Sequence, residues 1–252
     1  MKNKKPILFS AMIVVLFSIT LMSGCKKEET TDACTNGVQD QTETGVDCGG
    51  TCNACTASAF RIKTVTYADG SVFAYSYDNR GRITNLAITS AGLGNSTQQY
   101  TYGTNSVTQT LQGGFTENYT LNSNGYATSQ VSKDNTGATI ASWAYTYDSE
   151  GHVLTSAYTG GGGGTVTNTW TNGNLTSDNN FGGQTYTYLL AKDNTIGNEN
   201  NGMNFFGKDS KNLRNSSTSG GGTTTFTYEY DSQNRVTKQM DGSPGAIIYT
   251  YY

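Results

Sequence analysis

One histidine, His152, occurs in 252 residues, and no cysteine follows Cys55. That scarcity counts against nucleophilic catalysis by a Ser/His/Asp or Cys/His set, so the chain is expected not to be an enzyme. A glycan-active hydrolase with paired carboxylates is the remaining enzymatic alternative. Aliphatic residues are also few. Leu, Ile, Val and Phe form about a seventh of the chain after residue 24, a level normally associated with disorder. Helix-period patterning is almost missing from Phe60 onward, which argues against a helical domain.

What is there instead is aromatic. Seventeen tyrosines and two tryptophans raise the large apolar share to roughly a fifth, and each ring buries about 150–250 Å² while keeping a polar tip. With Thr they favour strands over coil. A thick sandwich core is out of reach, so a single curved sheet with tyrosine ladders is the expected geometry.

The first residues read as a leader. Lys2, Lys4 and Lys5 form a basic head, followed by an apolar run from Pro6 to Met22 that is short for a membrane-spanning helix. It ends in Leu21-Met-Ser-Gly-Cys25, which resembles a bacterial lipobox. The resemblance implies a signal peptide over 1–24, lipidation of Cys25, and a tether over 25–33. Acylation by more than one chain would anchor the protein without a spanning segment. Lys26-Lys27-Glu28-Glu29 resembles the export signal of some Gram-negative surface lipoproteins, and a plain solvated tether would carry the same charges. The implied location is the outer membrane, with cell-surface exposure. Removing the leader takes the formal charge from −3 to −6, thirteen basic against nineteen acidic residues. An acidic surface excludes nucleic acid as a partner.

Cys34, Cys48, Cys52 and Cys55 lie within 22 residues. In an exported chain they read as two disulfides, with three connectivities open, ahead of a four-thiolate zinc site. The pieces NGVQ, ETGVDCGG and CxxC resemble a small Cys-rich module near the start of many exported bacterial proteins. Asp40, Glu43 and Asp47 could offer calcium hard oxygens, although acidic turn residues on a solvated surface are commoner. No metal or cofactor is assigned.

From residue 60 to 252 the chain repeats. Tyr-x-Tyr doublets or their relatives start at Tyr75, Tyr100, Tyr119, Tyr145, near Asn168, and at Tyr186, Tyr228 and Tyr249, mostly at intervals of roughly 18 to 26 residues. Stretches such as Trp143-Ala-Tyr-Thr-Tyr alternate with period two, as strands do. Turns follow at Asp78-Asn-Arg-Gly81, Asn122-Ser-Asn-Gly125, Asp148-Ser-Glu-Gly151 and Asp231-Ser-Gln-Asn234. Asp or Asn at the first position can bond the backbone two residues on, and Gly or Asn at the fourth accepts positive φ. Asn172-Gly173 is the two-residue form. Because Asn122 replaces the acid in one copy, the acids are expected to shape turns and take no part in catalysis. His152 fills the slot of Arg82 and Arg235, so it is expected to be an exposed strand-start residue.

These units resemble the tyrosine-aspartate repeats of Rhs and YD-repeat proteins, which build β-shells far larger than this chain could form. A longer resemblance, over about Phe60 to Tyr252, is to a domain-of-unknown-function family of bacterial lipoproteins with a porin-like fold. It implies an all-β antiparallel meander of hairpins curled into a barrel or half-barrel, and no activity. Strands such as Tyr100-Thr-Tyr-Gly carry too few apolar side chains for a membrane-spanning barrel.

The spacing fails once, between Tyr186 and Tyr228, where a long polar loop ends in Met203, Phe205 and Phe206. A loop of that length is a plug for one barrel end or a binding loop, the latter formed by Asp193, Asn198, Glu199, Asn204, Phe205 and Phe206. Asp193, Asn198 and Glu199 are conceivable calcium ligands, at a spacing that fits no standard loop. Gly160 to Gly164 and Gly220 to Gly222 look like flexible hairpin tips. The expected function is that of a non-catalytic, lipid-anchored surface module binding a glycan or a surface protein, with a structural spacer as the alternative.

Overall fold

Alternation of aromatic and hydroxyl side chains gives each strand one face for the interior and one for water. In a computed structural model, which describes residues 61–90, 92, 94–159 and 163–252, seventeen strands form one antiparallel sheet. They are β1 (Ile62–Thr66), β2 (Val72–Tyr77), β3 (Ile83–Ser90), β4 (Gly94–Tyr102), β5 (Ser106–Thr110), β6 (Thr116–Leu121), β7 (Ala127–Lys133), β8 (Thr139–Tyr147) and β9 (Val153–Tyr158). There follow β10 (Thr165–Thr171), β11 (Asn174–Asp178), β12 (Gln184–Asp193), β13 (Asn212–Ser219), β14 (Gly222–Thr225), β15 (Thr227–Tyr230), β16 (Val236–Met240) and β17 (Ile247–Tyr251). β1 pairs with both β2 and β17, so the meander curls into a nearly closed barrel. β14 and β15 are one run broken at Phe226: the first half pairs with β13 and the second with β16.

In such a meander successive turns alternate between the two ends. The four Asp/Asn turns that follow the tyrosine doublets or their relatives, at 78–82, 122–126, 148–152 and 231–235, the Asn172-Gly173 turn and the long β12–β13 connection therefore share one end. At each Asp/Asn turn the first side chain accepts from the backbone N–H two residues on and again four on, as Asp78 Oδ1 does from Arg80 (3.0 Å) and Arg82 (2.9 Å). Asn122 does the same with Asn124 and Tyr126. Asn234 takes φ 60° where its sister turns have glycine.

The tyrosines face inward. Tyr75, Tyr100 and Tyr119 are buried in the core, and Tyr77, Tyr102, Tyr145, Tyr249 and Tyr251 pack against it. Between them Ser76, Thr101, Thr120, Thr146 and Thr250 face water. The exterior of β10 shows the same pattern, with Thr165, Thr167, Thr169 and Thr171 all exposed. Hydroxyl pairs such as Thr64 with Thr250 (2.7 Å) and Thr146 with Thr155 (2.6 Å) line neighbouring strands there.

His152 departs from the expectation of an exposed residue: it is 4% exposed. Its ring stacks on Trp170, with centroids 4.4 Å apart, while Nδ1 lies 2.9 Å from Asp148 Oδ2. Trp170 on the neighbouring hairpin supplies the cover, and the spacing of the repeat alone does not reveal it.

Candidate binding site at the capped end

The second aromatic of several doublets makes a contact that the sequence pattern does not disclose. After each Asp/Asn turn the returning strand carries a one-residue bulge, where Tyr77 pairs with Ile83 although Ser76 pairs with Asn85. The same shift recurs at Leu121/Ala127, Tyr147/Val153 and Tyr230/Val236. A bulge turns a backbone group out of the ladder, and an aromatic tip of a later strand takes it. The Tyr102 hydroxyl donates to the Ile83 carbonyl (2.9 Å), Tyr147 to Ala127 (2.8 Å) and Tyr251 to Val236 (2.7 Å). At Val153 the donor is Trp170 Nε1, at 2.8 Å.

The residue closing each turn lies over that same ring. Arg82 Cζ is 4.0 Å from the Tyr102 centroid and Arg235 Cζ 4.5 Å from that of Tyr251. In the copies without arginine, His152 stacks on Trp170 and Tyr126 stacks on Tyr147 (5.2 Å). Each arginine is also held by its own turn acid, Arg82 Nε donating to Asp78 Oδ2 at 2.7 Å and Arg235 Nε to Asp231 Oδ2 at 2.6 Å. Hydrogen bonds from His152 and Glu150 outweigh the effect of burial on Asp148, and its carboxyl sits below the ordinary aspartate range. The recurring acids thus stand at separate corners of the rim, each committed to a turn.

The β12–β13 connection folds over this rim. It contains a short helix, α1 (Asn198–Asn201), and a turn over Asn204–Phe206. Backbone groups that the bulges free become its attachment points: Ile83 N–H donates to the Gly202 carbonyl (3.1 Å) and Val236 N–H to Thr195 Oγ1 (3.0 Å). Lys208 N–H donates to Gly151 O and Lys211 N–H to Gly173 O. Arg61, 7% exposed, donates through Nη1 to the Glu199 carbonyl and lies over Tyr77. Phe205, 4% exposed, fills the barrel against Tyr119 (4.9 Å) and Tyr100 (6.4 Å), so the connection is a plug.

Between plug and rim lies a cavity of about 510 Å³, bounded by Arg80, Arg82, Tyr102, Tyr126, Glu199 and Lys208 among others. Asn124 and Asn204 add two side-chain amides, and Phe205 forms part of the floor. Partial desolvation beside the plug, with Asp209 adding to it, pushes the Glu199 carboxyl up, although the residue as a whole is solvent-exposed.

The RHS repeat family model matches residues 61–93. That span holds one whole unit, from Arg61 over Tyr77 through the Asp78 turn to the Ile83 bulge. In fold the barrel is similar to a porin-like protein from Bacteroides uniformis, at a TM-score of 0.58 and 17% identity over 84% of this chain and 100% of that one. A porin-like protein from Bacteroides vulgatus is similar at a TM-score of 0.50 and 12% identity, over 76% of this chain and 99% of that one. No curated protein matches the chain.

The six candidate loop residues separate. Glu199, Asn204 and Phe205 bound the rim cavity. Phe206 packs on Tyr119 (5.4 Å), and Asn198 turns inward, its Nδ2 donating to Gly207 O at 3.4 Å. Asp193, at the end of β12, lines a different recess with Gln233 and Asn234, so it does not share a cavity with Glu199. Among the described residues, no group of three or more His, Cys, Asp or Glu is placed to hold a metal ion. Cys25, Cys34, Cys48, Cys52, Cys55, Asp40, Glu43 and Asp47 lie outside the described residues. Arg80, Arg82 and Lys208 were missed from the sequence as site residues. The two arginines are signalled only by position, at slots three and five of one turn, and Lys208 only by its place in the plug segment.

Proposed function

We propose that this chain is a non-catalytic, lipid-anchored binding module of the outer membrane, attached through Cys25, and that it takes a glycan or a surface protein in the rim cavity of its capped end. The observation that carries this reading is the cavity's division of labour. The turn carboxylates Asp78, Asp148 and Asp231 are consumed by caps and rim contacts, whereas amides and cations remain directed at a roomy recess. The hydroxyl-rich exterior supports attachment by lipid, since a spanning barrel needs a continuous apolar band. The test is a glycan array and a surface-protein pull-down with the full mature protein, beside the Asn124→Ala/Asn204→Ala double variant. Binding weakened in the variant supports the module, and an empty array with an empty pull-down overturns it. Metabolic palmitate labelling lost in Cys25→Ala tests the anchor separately.

The burial of Phe205 favours a second reading, a structural spacer whose plug only stabilises the barrel. It requires that plug variants change the unfolding midpoint and no binding signal.

A further inference from the structure

We propose that the ligand of the rim cavity is an acidic saccharide, whose carboxylates meet Arg80 and Lys208. The inference rests on the binding-module reading and narrows it to one ligand chemistry. Three cations bound this cavity and Arg61 stands behind it; two of the four are committed. Arg82 is paired with Asp78, its Nη2 2.6 Å from Oδ2. Arg61 is buried and spends Nη1 on the plug. Arg80 and Lys208, by contrast, have no carboxylate within ion-pair distance among the described residues, yet both bound the cavity. The one acid in the lining, Glu199, is solvent-exposed and offsets at most one of these two cations. With two cations against one carboxylate, the recess keeps a net positive charge although the mature chain is acidic overall.

The rest of the lining indicates a hydroxyl-rich molecule over an apolar one. Asn124, Asn204 and Thr104 offer amide and hydroxyl groups, and Gly103 and Gly125 are exposed at its edge. Sugar hydroxyls both donate and accept, so they can use such a mixture, while the half-buried Tyr126 ring offers a flat surface beside it. Charge-assisted bonds to the two cations would then set the preference for acid over neutral rings.

The experiment is isothermal titration of the full mature protein with tetragalacturonide and with its methyl ester, which keeps the rings and masks the charge. The acid is expected to bind about tenfold or more tightly than the ester, with a preference that shrinks as salt is raised. In the Arg80→Gln/Lys208→Gln variant the two forms should bind alike, and an unchanged circular-dichroism melt shows that the fold is intact. Equal binding of acid and ester by the unaltered protein overturns the acidic preference while leaving the binding module standing. No binding of either form also overturns it, and the glycan array then decides the broader reading by itself.

Discussion

The two carboxylate oxygens of Asp78 have separate tasks. Oδ1 accepts from two backbone N–H groups of its turn, and Oδ2 holds Arg82 over the Tyr102 ring. Only the second task needs charge. Asp78→Asn, which copies Asn122, is therefore expected to cost about 1 kcal/mol or less, and Asp78→Ala, which removes both, about 2 kcal/mol, read from urea midpoints. Equal losses in the two variants would mean that the cap contributes nothing. Tyr102→Phe removes one donor and leaves the bulge carbonyl of Ile83 without its partner. It should cost about 1 to 2 kcal/mol, although the ring and its packing stay in place.

At the scale of elements, the plug is set by close approaches. A Cβ on Gly207, at φ +83°, would come within 2.5 Å of the Gly151 carbonyl oxygen, and one on Gly202 within 2.7 Å of the Ile83 nitrogen. Gly207→Ala should therefore lift the plug from the rim, seen as faster amide exchange at Lys208. Phe205→Ala, which empties a core position, should cost about 3 to 5 kcal/mol of global stability. Strands and turns were legible in the sequence because their signals are local: period-two aromatics, an Asx side chain at the first turn position, glycine or Asn234 at the fourth. The plug was legible as a break in spacing, with Phe205 as its apolar tip. The bulges and the aromatic-to-carbonyl bonds were not, because each joins residues of different hairpins, such as Tyr102 and Ile83. The same limit hid His152, whose cover comes from Trp170. Asp134-Asn-Thr-Gly137 shows the converse. It forms the same capped turn, with N–H groups of Thr136 and Ala138 donating to Asp134, but at the opposite end and with no tyrosine doublet before it. Turn chemistry alone thus does not identify a repeat unit.

The whole molecule is held by phenols, and its response to pH should show it. Burial pushes Tyr75, Tyr145 and Tyr228 up to about 12, and Tyr77, Tyr102 and Tyr119 are raised as well. A phenol whose folded pKa exceeds its unfolded value of about 10 contributes stability that is complete below pH 10 and is lost as pH rises toward the folded value. With many such groups in one barrel the losses add, so unfolding above pH 10 should be steep and cooperative. The acid side has mixed signs. Asp148 and Asp231, held low by their turns, give stability above about pH 4 that disappears as pH falls through their folded values. Glu199, raised by partial desolvation, works the other way, but it is solvent-exposed, so its share is small. Acid unfolding should therefore be shallower than alkaline unfolding. A titration that follows phenolate absorbance and circular dichroism together checks the alkaline limb. If the tyrosines ionise one by one near pH 10 with the sheet signal unchanged, the inward hydroxyls are in contact with water, and the carbonyl bonds at the bulges do not hold the barrel.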